Sequence, residues 1–160
     1  MNNRWQLKKW RNSAKIYGGV MLLVCGCAIY LLFRSKTLSI YVWCRDLGCS
    51  HLVDYLRLSV QNWSIPAFIK YSLPDGLYSA AYLLIIDAIW HNDKRSMKYI
   101  LLSIIPVITI GNELLQYWGL IRGTFDYVDL ICYMVPPLLF FSTNSVKTIY
   151  FNNKLKPKKS

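Results

Sequence analysis

Residues 16–33 read IYGGVMLLVCGCAIYLLF, eighteen consecutive residues without a charge, bounded by Lys15 on one side and Arg34 on the other. As an α-helix rising 1.5 Å per residue, this run is about 27 Å long, close to the ~30 Å hydrocarbon core of a bilayer. The stretch reads as a membrane span.

A basic leader (Arg4, Lys8, Lys9, Arg11 and Lys15) precedes it, as in a secretory signal, and Val24-Cys25-Gly26-Cys27 has the look of a lipoprotein processing box. The apolar run continues to Phe33, six residues beyond Cys27, with no small-residue cleavage site after it. A cleaved signal core is typically only ~7–15 residues long. Retention as a span is therefore the expectation.

Three more apolar blocks follow, at 73–90, 98–121 and 124–143. The third block carries Glu113 alone in its apolar run, which begins at Tyr99; the second contains Asp75 and Asp87, and the fourth opens with Asp126 and Asp129. Of the 160 residues, 54% are hydrophobic and 17% charged. A soluble surface usually needs about 25% charged residues. The expected fold is all-α: a single membrane domain, 1–160, forming a polytopic bundle of about four transmembrane helices. A basic leader (1–15) and a basic tail (144–160) flank it.

The formal net charge of +11 would suggest nucleic acid in a soluble protein, but no strand carries aromatics interleaved with basic residues. No nucleic-acid partner is expected. With four spans, the leader, the 90–98 connection and the tail share one side with 13 Lys and Arg, against 6 on the other. The positive-inside rule places both termini in the cytoplasm.

The first loop, Arg34 to Leu73, is too apolar for a free linker. Leu52, Val53, Leu56 and Val60 share one helical face after Ser50, a plausible N-cap, and Ile65-Pro66-Ala67-Phe68-Ile69 offers a second short apolar turn. Tyr41, Trp43, Tyr55, Trp63 and Tyr71 are residues favoured in the headgroup zone. One or two short interfacial helices are expected; packing over the span ends is an equally compatible reading. Cys25, Cys27 and Cys132 fall within spans, where cysteine is a small apolar residue. Cys44 and Cys49 lie outside the cytoplasm, where either a disulfide or two free thiols is consistent with their spacing. No Cys/His pattern has zinc-site spacing, so no metal is expected, and no cofactor is indicated.

Chemistry concentrates at the outer span ends. Glu113 and Gln116 share a helical face, Asp126 and Asp129 repeat that spacing, and the short Gly119–Thr124 connection makes the two helices antiparallel neighbours. Asp75, in Leu73-Pro74-Asp75-Gly76-Leu77, enters at the same depth. Glu113, Gln116, Asp126 and Asp129 are therefore expected to converge in a pocket open to the outer leaflet, with Asp75 at its rim. Carboxylates that close cannot all stay ionised without a compensating cation or proton; Arg122 is the nearest in sequence. Asp126 and Asp129 also suit a helix start, and Asp75 a turn. Glu113, two turns or more inside an apolar helix, has no capping role and is the strongest functional residue. Asp87 is expected to pair with Lys94 or Arg95, or with a partner on another helix. Pro106, Pro136 and Pro137 should kink or locally unwind their helices.

Glu113-x-x-Gln116, followed by Gly123-Thr124-Phe125-Asp126-x-x-Asp129, resembles the signature of VanZ-like membrane proteins, as does Leu73-Pro74-Asp75-Gly76-Leu77. The resemblance covers roughly residues 73–141. The chain departs from it after Asp129, where Cys132-Tyr133-Met134-Val135-Pro136-Pro137 stands in place of Asn and Gly, and it lacks a His near an earlier span. The resemblance implies a bacterial cell-envelope protein linked to teicoplanin-type glycopeptide resistance.

Two function classes follow. In the first, the site binds or acts on an envelope lipid headgroup: carboxylates hold a cation or amine, Arg122 a phosphate, and Glu113, with Asp126 and Asp129, supplies catalytic acid or base groups. Asp75 and Gln116 would be binding residues. No nucleophile with a paired His is evident, so enzyme status stays open. In the second, the cluster pins helices together or docks a larger membrane protein.

Overall fold

The computed structural model describes residues 3–91 and 96–155. Seven helices are present among them and no strand: α1 (Asn3–Phe33), α2 (Ser39–Asp46), α3 (Ser50–Val60), α4 (Ala67–Tyr71), α5 (Leu73–Ile89), α6 (Ser96–Tyr117) and α7 (Tyr127–Leu155). The all-α expectation holds. Trp10–Phe33 and Ser96–Tyr117 are long and apolar enough to cross a membrane, and Tyr127–Thr143 is a shorter apolar helix.

α5 is the centre of the bundle, touching α1, α4, α6 and α7. It runs antiparallel to α1, because Lys15 meets Asp87 at one end while Tyr30 meets Asp75 at the other. Glycines permit the approach: a Cβ on Gly19 would stand 2.6 Å from the Ile85 side chain, and one on Gly26 would stand 2.9 Å from the Tyr78 ring. Small residues at helix contacts allow the close backbone packing that replaces a hydrophobic driving force in lipid.

Asp87, only 4% exposed, is held between two helices: Lys15 of α1 contacts Oδ2 and Lys98 of α6 lies 2.5 Å from Oδ1. Lys94 and Arg95, the neighbours expected to pair with it, lie outside the described residues; the alternative of a partner on another helix is the arrangement seen. α1, α5 and α6 are thus joined at one carboxylate.

The interior mixes polar side chains (Ser72, Ser79, Asp87 and Glu113) with apolar ones (Ala81, Leu83 and Leu102), while Val20, Met21, Val24, Val107, Ile108, Ile131, Leu138 and Leu139 are exposed. In the apolar stretch of α1 only 11% is buried, and in that of α6 only 17%.

Several boundaries differ from the sequence reading. α6 stops at Tyr117, not near Ile121, because Gly119 at φ +68° closes a Schellman motif: its N–H donates to the Gln116 carbonyl and that of Leu120 to Leu115, both at 2.9 Å. α7 continues through the expected tail as far as Leu155. The first loop forms three short helices, not one or two, and Ser50 opens α3 without a side-chain cap. Within that loop Tyr41 is buried and donates to Asp54, which pairs with Lys36 at 2.6 Å. Cys44 and Cys49 are free thiols, so the disulfide alternative is not the one seen. They flank a second Schellman turn at Gly48, and Cys49 Sγ faces the Leu47 carbonyl at 3.7 Å. α6 and α7 stay helical through Pro106, Pro136 and Pro137, so the expected local unwinding does not occur. Thr109 back-bonds to the Ile105 carbonyl at 2.9 Å, and Tyr82 donates to the Leu101 carbonyl, supplying polar partners around the Pro106 interruption.

Candidate functional site: a carboxylate cluster at the α6–α7 turn

The Schellman turn at Gly119 reverses the chain, and the connection to α7 ends at Gly123, with φ +148°. A Cβ on Gly123 would fall 2.7 Å from the Gln116 side chain, so the carboxamide lies directly on this backbone. That close approach fixes the start of α7 against the end of α6. Tyr117, Phe125 and Tyr127 reinforce it with edge-to-face ring contacts at 5.1 and 4.6 Å.

Asp126 caps α7. Its Oδ1 accepts the Val128 N–H at 2.8 Å, and its carbonyl accepts from Leu130 at 3.1 Å. In a capping box the third helical residue, here Asp129, would reach back to the cap's own N–H. Glu113 of α6 takes that role instead, accepting the Asp126 N–H at Oε2 over 3.4 Å. Asp129 is thereby released to face α5. It lies within electrostatic reach of Asp75, Glu113, Tyr30 and Tyr133, and its buried Oδ1 has no hydrogen-bond partner among the described residues.

Asp75 comes from the first turn of α5, where Pro74 occupies an early helical position. Gly76 brings this turn onto α7: its Cβ would stand 3.0 Å from the Cys132 carbonyl oxygen. The Tyr30 hydroxyl donates to Asp75 Oδ1 at 2.7 Å, and Tyr133 of α7 lies near the same carboxylate. Arg34 lies 4.8 Å above the Tyr30 ring and 5.1 Å from that of Tyr71, within electrostatic reach of Asp75.

The structure therefore brings together Glu113, Asp126, Asp129 and Asp75, with Gln116 alongside. Three expectations need correcting. Asp75 is not at the rim: it is half-buried and held by Tyr30, and exposed Asp126 is the outermost of the four. Glu113, expected in an open pocket, is only 7% exposed, because the α6–α7 turn closes over it. Arg122 does not join the cluster; it is exposed, on the segment beyond the Gly119 turn, and Arg34 is the guanidinium near the carboxylates. Tyr30, Arg34 and Tyr133 had gone unrecognised. Tyr133 had a detectable signal, since it lies four residues after Asp129 on the same helical face. Tyr30 and Arg34 had none, because their partner lies on another helix.

Four carboxylates, one of them held by a tyrosine and one exposed, with a single nearby arginine, suit a cationic or amine-bearing ligand better than an anionic one. No group of His, Cys, Asp and Glu among the described residues is arranged to hold a metal ion. No family model matches the chain, and no curated protein and no solved structure matches it.

Proposed function

We propose that this chain is a VanZ-like integral membrane protein of the bacterial cell envelope that binds or acts on an envelope lipid headgroup through the carboxylate cluster. In this reading it crosses the cytoplasmic membrane four times, with both termini in the cytoplasm. The exposure of apolar side chains supports membrane embedding, since a core helix of a soluble protein would be mostly buried, whereas α1 and α6 expose their apolar faces. α5, with 17 residues, is about 26 Å long, a length that a bilayer accommodates by slight thinning. α1 lies along α5 through Gly19 and Gly26, which favours a retained span over a cleaved signal. The 13-to-6 division of basic residues supports the orientation.

The observation that carries the functional reading is the convergence of Asp75, Glu113, Asp126 and Asp129 from three helices, at the end opposite the Lys15–Asp87–Lys98 group. The carboxylates would hold an amine, Arg34 would take the phosphate role first expected of Arg122, and Glu113 is the residue placed to exchange a proton. A link to teicoplanin-type resistance rests on the resemblance alone. Membrane levels and glycopeptide sensitivity, measured separately for Glu113→Gln, test the reading. A variant present at the wild-type level with its phenotype lost supports it; a full phenotype at that level overturns it.

A second reading, helix glue in a non-catalytic subunit, draws on the same contacts: Glu113 and Asp126 cap α7, and Tyr30 ties α1 to Asp75, with Tyr133 of α7 nearby. Disappearance of Glu113→Gln from the membrane would favour it.

A further inference from the structure

Between α6 and α7, below the cluster, runs an apolar groove of about 570 Å³. Its volume falls in the ~300–1,000 Å³ range of ligand sites. Along α6 it extends from Ser103 to Leu114, about 16 Å of helix, roughly the depth of one leaflet. At its outer end it finishes at Leu114 and Met134, one residue along each helix from Glu113 and Tyr133, which do not themselves line it.

Gly111, in the groove wall, distinguishes it from an incidental crevice. Gly19, Gly26 and Gly76 sit where a Cβ would meet atoms at 3.0 Å or less, so each makes room for a neighbouring helix. Gly111 has nothing within 4 Å of its Cβ position. Glycine inside a helix destabilises it relative to alanine, and here no protein atom uses the space it leaves. That space opens into the groove.

We propose that the α6–α7 groove holds one acyl chain of a phospholipid bearing a primary amine, with the headgroup amine at the carboxylate cluster. This inference rests on the lipid-headgroup reading above and supplies its substrate class. The choice of lipid follows from charge and donor count. Four carboxylates face one nearby arginine, which disfavours an anionic headgroup. A quaternary amine has charge but no N–H, whereas a primary ammonium has three donors for carboxylate oxygens, including an Asp129 Oδ1 that has no partner among the described residues. The bilayer delivers the chain laterally, since Val107 and Leu138, on the groove walls, are exposed on the outer face of the bundle.

The test is native mass spectrometry of the full chain released from nanodiscs containing equal parts of phosphatidylethanolamine, phosphatidylcholine and phosphatidylglycerol. Wild type is expected to retain phosphatidylethanolamine at least fivefold over either other lipid. Gly111→Leu, which fills the groove from α6, and Leu138→Trp, which fills it from α7, are each expected to reduce that retention at least tenfold; circular dichroism identifies the variant that keeps its helices. If wild type shows no ethanolamine preference, or appears as a lipid-free dimer with a second copy in the groove, the inference fails, while the headgroup reading is decided separately by the Glu113→Gln phenotype. If the preference is present but survives in the folded groove-filling variant, the headgroup reading stands and the groove assignment is wrong.

Discussion

The Glu113 carboxylate on α6 accepts the backbone N–H of Asp126, the N-cap of α7, at 3.4 Å. One side chain thus satisfies the neighbouring helix's first orphan donor, a task usually done by a residue of the helix itself. Asp129 stands at the position that would ordinarily do it, and is free to face Asp75 instead.

The two capping groups should separate in a stability experiment. Asp126→Ala removes the N-cap and is expected to cost about 1 kcal/mol. Glu113→Ala leaves the part-buried Asp126 N–H without its carboxylate acceptor and should cost about 1–3 kcal/mol. Glu113→Gln keeps a carbonyl acceptor and should cost less than about 1 kcal/mol. Thermal unfolding in a single detergent, followed by circular dichroism, measures all three.

At the end of α5 away from the cluster, Asp87 serves both Lys15 and Lys98. Removing one partner of a buried ion pair typically costs about 3–5 kcal/mol, because a desolvated charge is left behind. Asp87→Leu is expected near the lower figure, as Lys15 can reach water. Adding Lys15→Met and Lys98→Met should recover most of the loss. A triple variant no more stable than Asp87→Leu would show that the three residues do not act as a unit.

Glycine substitutions should sort by the room around them. Gly76→Val forces a side chain onto the Cys132 carbonyl, a backbone atom that cannot rotate away, and should destabilise by about 1–3 kcal/mol through overpacking. Gly111→Ala meets nothing within 4 Å and should stabilise α6 by up to ~1 kcal/mol. Melting temperatures of the two variants should move in opposite directions.

In the first loop, hydrogen bonds from Lys36 and then Tyr41 hold the Asp54 carboxyl below its ordinary range. Its contribution is therefore complete above the unfolded value, near 3.8, and is lost as pH falls through the lower folded value. Lys36 is held above its ordinary value by the same Asp54 bond, so its contribution is lost only as pH rises beyond about 10.5. Protection of α2 and α3 against hydrogen exchange, taken relative to the intrinsic exchange rate at each pH, should stay constant through neutral pH and fall only in strong acid or strong base. Asp54→Asn should abolish the acid arm.

The apolar helices and the Glu113–Asp126–Asp129 convergence were legible because they depend on local quantities: an uncharged run, a three-residue spacing, a short turn. Gly119 and Gly123 were visible too, although the Schellman termination at Tyr117 shortened α6 relative to its apolar run. What could not be read were contacts between distant segments. Lys15 lies 72 residues from Asp87, and Tyr30 lies 45 residues from Asp75. Sequence proximity favoured Arg122 over Arg34 for the same reason, whereas the antiparallel packing of α1 on α5 decides that Arg34 is near Asp75. The Cys44–Cys49 pair was undecidable from spacing because a Schellman turn, and not a disulfide, organises that segment.

Presentation of the acidic cluster at the outer face of a membrane is tested most directly by accessibility labelling in a cysteine-free background. Leu120, 69% exposed on the turn that carries the cluster, and Ser160, at the end of the chain, are replaced singly by cysteine. A membrane-impermeant maleimide added to intact cells should label Leu120→Cys, and should reach Ser160→Cys only after permeabilisation. Labelling of Ser160→Cys in intact cells, with Leu120→Cys protected until lysis, would place the cluster in the cytoplasm and contradict an outward-facing headgroup site.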